Sequence, residues 1–116
     1  MRGMHLTAIG EGSILLEPGA GLDPLNTDLY LEPLMSFLQQ EKARKLIYDL
    51  KNVPLIDTIY YNWLVHIHRL CSISGMEFIV ANMQPTAAFA LSTTIKETPP
   101  FICALDVESA RLSGPT

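Results

Sequence analysis

Two short apolar runs separated by a long amphipathic segment place the strongest constraint on the fold of this chain. Residues 46–48 are continuously apolar, and residues 76–81 form a second, largely apolar run. Continuous rather than alternating hydrophobicity is typical of strands that helices cover on both faces. Between the two runs, residues 58–74 carry apolar side chains at helical spacing, and Gly75 follows as a suitable helix end. The segment therefore predicts a strand–helix–strand unit of an α/β sheet, with the helix beginning at Asp57-Thr58.

The same pattern of apolar strands and amphipathic helices continues on both sides of this unit. The additional predicted elements are strands at residues 5–9, 13–17 and 101–104, helices at residues 29–40 and 85–95, and a last helical turn capped by Asp106. The resulting order, ββαβαβαβα, predicts an α/β fold with a mixed central sheet of about five strands and helices packed on it. We expect one domain over residues 1–116, with residues 1–4 and 113–116 frayed.

Charge and hydropathy argue against two classes of function. The net charge is −4, and the densest basic cluster is only Lys42, Arg44 and Lys45, which argues against nucleic-acid binding. No apolar run approaches the length of a membrane span, and the N-terminus lacks the apolar core of a signal peptide. Cys71 and Cys103 are therefore expected to be reduced and partly buried. These features predict a cytoplasmic protein without direct membrane insertion.

The histidine and cysteine side chains do not form a recognisable metal or catalytic pattern. His66 and His68 are two residues apart, a spacing that sends them to different sides of a helix. His68 and Cys71 can share a helix face, but zinc requires further ligands, and a cysteine nucleophile requires an activating base and an orienting third group. The glycine-containing turn at residues 18–21 lacks the Lys-Ser/Thr pair of a phosphate-binding loop. We therefore expect no metal, no cofactor and no enzymatic activity.

The junction Asp57-Thr58 is the candidate for a regulatory site. As an N-cap, Asp57 is expected to accept hydrogen bonds from N–H groups of the first helical turn. Thr58 then lies where those groups and the helix dipole favour an anion such as a phosphate. Serine and threonine are common at helix starts, so the residues alone favour the simpler interpretation that Thr58 only begins the helix.

Helical spacing divides residues 58–74 into two faces. Tyr60 and Trp63 fall on the side that we assign to the core. Tyr61, Asn62 and Val65 fall on the other side, where Tyr61 is expected to be exposed and to serve as an interface residue. We predict that this strip, next to the helix start, binds a partner.

The segment LIYDLKNVPLIDTIYYNWLVHIHRLCSISGMEFIVANMQP resembles the core of a STAS domain, the module of anti-sigma factor antagonists and of stressosome components. The shared pattern is a strand ending in Asp-Leu, a Val-Pro-hydrophobic-Ile-Asp-Ser/Thr step, a long helix ending in Gly, an apolar strand, and Gln-Pro opening the next helix. The resemblance covers residues 46–95 and extends to residues 104–106. It implies a single STAS-like domain.

The resemblance also implies a function and its residues. In STAS antagonists, a Ser or Thr at the position of Thr58 is phosphorylated by a partner kinase, and the phosphate releases a partner that the unmodified form binds. Asp57 would then be the cap beside the phosphoacceptor, and Asp49 a nearby supporting acid. The implied partners are a protein kinase or an anti-sigma factor and other STAS proteins, with a possible homo-oligomer. Many members carry small residues after the phosphoacceptor, whereas here Ile59-Tyr60-Tyr61 is bulky.

Two other functions are compatible with the same residues. The chain could be the STAS subunit of a lipid or anion transporter assembly, docking an ATPase or a permease without phosphorylation of Thr58. It could also be a small-ligand or nucleotide-binding domain, although it lacks a phosphate-binding loop.

Overall fold

The computed structural model describes residues 3–113. Nine elements follow one another in the predicted order ββαβαβαβα. They are β1 (Met4–Ala8), β2 (Ser13–Pro18), α1 (Asp28–Gln40), β3 (Lys45–Asp49), α2 (Thr58–Ile73), β4 (Glu77–Ala81), α3 (Pro85–Thr94), β5 (Ile102–Ala104) and α4 (Val107–Leu112). The predicted element types and their order are confirmed, and the boundaries differ by one or two residues at most ends.

The five strands form one mixed sheet in which spatial order follows chain order, β1-β2-β3-β4-β5. β1 pairs with β2 in an antiparallel hairpin, and the remaining three pairs are parallel. In the parallel part, Leu46 of β3 lies between Ile14 of β2 and Phe78 of β4. Parallel neighbours require crossover connections, and here α1, α2 and α3 provide them. The mixed sheet predicted from the sequence is confirmed.

The sheet is covered unequally on its two faces. Side chains of α1, α2 and α3 belong to one large core cluster with Leu46, Tyr48, Phe78 and Val80 of the central strands. The opposite face carries a small cluster in which α4 supplies Ala110. Every residue of β3 is buried, as the continuous apolar run predicted. The three crossover helices therefore occupy one face, and α4 closes the other.

The first residue of β3 fastens the last helix to the sheet. Lys45 is 6% exposed, and its ammonium group donates to the main-chain oxygens of Ala110, at 2.8 Å, and Arg111, at 3.2 Å. These carbonyls lie in the last turn of α4, where a cation satisfies oxygens without helical partners and interacts favourably with the helix dipole. In the sequence, Lys45 is recognisable only as part of a basic cluster, and nothing near it in the chain indicates this contact.

The ends of the chain differ in part from expectation. Met4, which we expect to lie in a frayed end, is the first residue of β1 and is 5% exposed. The predicted frayed ends also include residues 1–2 and 114–116, which lie outside the described residues. Between residues 3 and 113, no helix combines the length and apolar character needed to cross a membrane.

Candidate functional site

The start of α2 has the geometry that the sequence predicted. Asp57 is the N-cap in an extended conformation, and its carboxylate accepts a hydrogen bond of 2.8 Å from the main-chain N–H of Tyr60. Thr58 is the first helical residue, and both side chains are exposed. A capping carboxylate satisfies one of the free N–H groups that every helix start carries. The hydroxyl group of Thr58 is thus presented to solvent at a fixed position beside an acidic cap.

The supporting acid Asp49 organises the loop that leads to this helix start. It is 3% exposed, and its Oδ1 atom accepts from the Lys51 main-chain N–H at 2.9 Å and from the Asn82 amide at 3.1 Å. The Lys51 ammonium also lies 3.6 Å from the other carboxylate oxygen. Because the partners come from two connections at the same sheet edge, Asp49 holds β3–α2 and β4–α3 together.

Two further hydrogen bonds join the β3–α2 loop to the beginning of α3. The Gln84 side-chain amide donates to the main-chain oxygen of Lys51 at 2.5 Å, and the Thr86 hydroxyl donates to that of Pro54 at 2.6 Å. Loops are usually the mobile parts of a fold, and such bonds restrict them. The loop that leads to Asp57 and Thr58 is therefore held against the beginning of α3.

The bulky step after Thr58 serves to anchor the helix. Ile59 is 40% exposed, whereas Tyr60 points inward and its hydroxyl lies 2.6 Å from that of Tyr48. The Trp63 indole N–H donates to the same Tyr48 hydroxyl at 2.9 Å. Tyr48 and Trp63 are fully buried. The first turn of α2 is therefore anchored to β3 by two linked hydrogen bonds between side chains in the core.

Burial changes the pKa values of the two hydrogen-bonded tyrosines and of the Cys71 thiol. It raises the pKa of Tyr60 to about 12 and, together with the adjacent Tyr60, holds the pKa of Tyr48 well above its usual value. Burial also raises the pKa of the Cys71 thiol to about 12. All three groups are therefore neutral at physiological pH, and Cys71 has none of the thiolate character that a nucleophile needs.

These raised pKa values predict alkaline unfolding. A group with a raised folded-state pKa contributes stability that is complete below its unfolded pKa and is lost as the pH rises to the folded one. For Cys71 and Tyr60, that window runs from about pH 9 to about pH 12. Ionisation of Tyr60 alone should lower the free energy of unfolding by about 2–3 kcal/mol. Urea titrations across this range test the expectation, and Tyr60→Phe should show a shallower decline; equal slopes would contradict it.

The partner-binding strip predicted on α2 is only partly exposed. Asn62 is exposed, but Tyr61 is 4% exposed and Val65 is 9% exposed. The Tyr61 ring lies 6.0 Å from that of Phe101, and burial, followed by the Glu97 carboxylate, raises the pKa of Tyr61. The expected exposure is therefore wrong for Tyr61 and Val65. The reason is that the α3–β5 connection covers this side of α2, and the periodicity of one helix does not show which neighbours cover it.

Exposed apolar side chains flank Thr58 instead. Leu55 before the cap is 64% exposed, Ile59 after it is 40% exposed, and Leu25 on the β2–α1 connection is 74% exposed. Leu25, Ile59 and Asn62 help to line a shallow cavity of about 210 Å³. Exposed apolar side chains that cluster around a polar centre are common in interfaces. Sequence reasoning missed this rim, although Leu55 and Ile59 flank the predicted site directly.

The described residues give no metal-binding arrangement. Within residues 3–113, no group of three or more histidine, cysteine, aspartate or glutamate side chains is placed to hold an ion. Cys71 is buried as expected, whereas Cys103 is exposed and not partly buried. The two cysteines are both free thiols.

Sequence comparison assigns the family. The family model for the STAS domain matches residues 7–99, which include β2, β3, β4, α2 and the Asp57-Thr58 junction. The chain therefore belongs to the STAS domain family. No curated protein sequence matches it.

Solved structures share the whole fold at low sequence identity. RsbS from Moorella thermoacetica, as a serine-to-glutamate variant, has a TM-score of 0.74 and 17% identity over 93% of this chain and 91% of its own. A chain from a study of the molecular architecture of the stressosome, described as a signal integration and transduction hub, has a TM-score of 0.74 and 14% identity over 92% of both chains. The protein TM1081, solved by NMR, has a TM-score of 0.72 and 20% identity, over 91% of this chain and 87% of its own.

Proposed function

We propose that this STAS domain is a non-enzymatic regulatory binding module of the anti-sigma factor antagonist or stressosome type. In its unmodified form it binds a partner kinase or anti-sigma factor, and phosphorylation of Thr58 switches that binding off. The observation that carries the proposal is the exposed Thr58 hydroxyl at the first position of α2, directly after the capping Asp57, in a STAS domain.

The helix start suits a phosphoryl group. The first N–H groups of a helix lack helical partners and, with the helix dipole, favour negative charge. The Asp57 carboxylate accepts from the Tyr60 N–H, which leaves other N–H groups of the first turn for a phosphate on Thr58. The fold should tolerate the modification, because the helix is anchored from below by the hydrogen bond between Tyr60 and Tyr48.

The partner surface in this proposal is the exposed rim around Thr58. It contains Asp57, Thr58 and Asn62 of the predicted set, and the apolar Leu55 and Ile59 extend it. A phosphoryl group adds about 1.5 to 2 negative charges at this point. A partner that covers the apolar rim would then have to desolvate that charge, which is unfavourable without a compensating cation.

Tyr61 and Val65 are buried and do not form the exposed partner-binding surface that their sequence positions suggested. Both are buried beneath the α3–β5 connection, where Tyr61 packs on Phe101. We propose that they hold Asn62 and the helix face around it in position, and that they influence partner binding only indirectly.

Assembly with other STAS proteins in the cytoplasm is part of the same proposal. Two structural neighbours are RsbS and a stressosome component, which supports other STAS proteins as partners and a possible homo-oligomer. Protein kinases and anti-sigma factors of this kind act in the cytoplasm, and we place the chain there.

Phosphorylation itself is tested by intact-mass analysis after incubation with ATP and protein kinases encoded beside the gene. We expect one added phosphoryl group, mapped to Thr58, and none on Thr58→Val. Thr27, the N-cap residue of α1, provides a control, because Thr27→Val should be modified normally. Modification of another residue would contradict the role of Thr58, and co-purification with an ATPase or permease instead would favour the transporter alternative.

A further inference from the structure

A groove beside the start of α2 opens near the carboxyl ends of β2 and β3. It has a volume of about 450 Å³ and lies between the β2–α1 and β3–α2 connections, with Tyr60 in its wall. This volume falls in the range of small-molecule sites, about 300–1,000 Å³. Ligands of open α/β sheets commonly bind outside the carboxyl ends of the strands.

The hydrogen bonds of the buried Tyr48 determine whether Tyr48 or Tyr60 donates in the contact between their hydroxyl groups. The Trp63 indole can only donate, so the Tyr48 oxygen accepts its hydrogen bond. If Tyr60 also donated to Tyr48, the Tyr48 proton would have no acceptor at a site that is 0% exposed. A buried donor left unsatisfied costs about 1–3 kcal/mol. Tyr48 therefore donates to Tyr60, and the 2.6 Å contact has that direction.

The Tyr60 hydroxyl consequently keeps its own proton for another acceptor. Among residues 3–113, the Tyr48 hydroxyl is the single hydrogen-bond partner of the Tyr60 side chain. Tyr60 is also the one residue that belongs both to this buried chain and to the wall of the groove. Because Tyr60 lines the groove, a ligand oxygen that reaches its hydroxyl can accept the free proton.

The wall of the groove defines the rest of the ligand. It consists mainly of small and apolar residues, including Ala20, Leu22 and Val53, and Asn52 adds a side-chain amide. None of the described residues that line it is charged. Lys51, next to Asn52, is paired with Asp49 and with Glu17, at 3.6 and 3.5 Å. An anion therefore finds no free cation here, and a neutral ligand is favoured.

From these observations we propose that the groove is a binding site for a small neutral molecule with a carbonyl oxygen, which accepts the hydrogen bond of Tyr60. The site lies on the unmodified protein and does not require phosphorylation of Thr58, so it stands independently of the proposed regulatory function. Because Leu55 borders the groove and precedes Asp57 by two residues, an occupied groove would alter the surface next to the switch.

The test is a titration of the ¹⁵N-labelled full chain with cyclohexanone, followed by two-dimensional NMR. We expect saturable shifts of the main-chain amides of Gly19, Ala20, Asn52 and Leu55. Tyr60→Phe keeps the ring but removes the proton and should weaken binding roughly fivefold, the factor expected from one neutral hydrogen bond. Tyr61→Phe is the matched control, because it removes the neighbouring hydroxyl outside the groove and should leave the affinity unchanged.

A second variant protects the test against an effect of Tyr60→Phe on folding. Ala20 is exposed and lines the groove, so Ala20→Leu should fill it and weaken cyclohexanone binding without touching the buried hydrogen bonds. The absence of saturable shifts in the unaltered protein would show that the groove holds only water and would overturn the proposal. Equal affinity of the unaltered protein and Tyr60→Phe would overturn the role of the hydroxyl.

Discussion

Thr58→Glu is expected to weaken binding of the partner kinase or anti-sigma factor by about tenfold or more, whereas Thr58→Ala should retain the affinity of the unaltered chain. Tenfold corresponds to about 1.4 kcal/mol of binding free energy. The carboxylate places a charge between the exposed apolar side chains of Leu55 and Ile59, and a partner must desolvate it. Alanine removes only a hydroxyl group. Isothermal titration calorimetry with the purified partner measures both variants.

The fold should be unaffected by these two substitutions, which separates a loss of binding from a loss of structure. Thr58 is exposed at a helix start, and surface substitutions of this kind usually change stability by less than about 0.5 kcal/mol. Ser72→Glu places the same charge on an exposed residue near the opposite end of α2 and serves as the control for unspecific repulsion. If Thr58→Glu and Thr58→Ala bound the partner equally well, Thr58 would not be the switch.

Tyr48→Phe is expected to lower the free energy of unfolding by about 1–3 kcal/mol, because it leaves the buried Trp63 indole N–H without an acceptor. Tyr60→Phe should cost a similar amount, since it removes the acceptor of the Tyr48 proton. The two effects should not add. Once the Tyr48 hydroxyl is gone, loss of the Tyr60 hydroxyl removes no further buried partner.

A double-mutant cycle in urea measures this coupling. We expect the double variant to be more stable than the sum of the single effects predicts, by about 0.5–3 kcal/mol, the range found for residues in one hydrogen-bonded network. Tyr61→Phe is again the suitable control, because the Tyr61 hydroxyl is buried without a hydrogen-bond partner among residues 3–113 and its removal should cost little. Additive effects of Tyr48→Phe and Tyr60→Phe would contradict the chain as described.

The fold was predictable because its signals are local in the sequence. The continuous apolar run of β3 marks a strand covered on both faces, and the cap at Asp57 and the proline at position 85 mark helix starts. Each of these features depends on a residue and its near neighbours. Strands that follow one another in the chain are commonly neighbours in a sheet, and the order β1-β2-β3-β4-β5 agrees with that tendency.

The candidate site was predictable only where it depends on such local signals. The cap and the exposure of Thr58 follow from the helix start, whereas the burial of Tyr61 depends on Phe101, forty residues later in the chain. The pairing of Tyr48 with Tyr60 and the contact of Lys45 with α4 are likewise tertiary contacts. Helical periodicity states which side chains share a face, but it does not state what lies against that face.

The sequential order of the strands bears on how the domain can assemble during synthesis. Because each new strand is added at the outer edge of the previous one, no strand has to insert between two that are already paired. The sheet can therefore grow in one direction as the chain leaves the ribosome, with each crossover helix covering the newest pair. Pairs that are close in the sequence also close with a small loss of chain entropy, which favours rapid folding. Lys45 would complete this process last, when its ammonium group meets the newly formed α4.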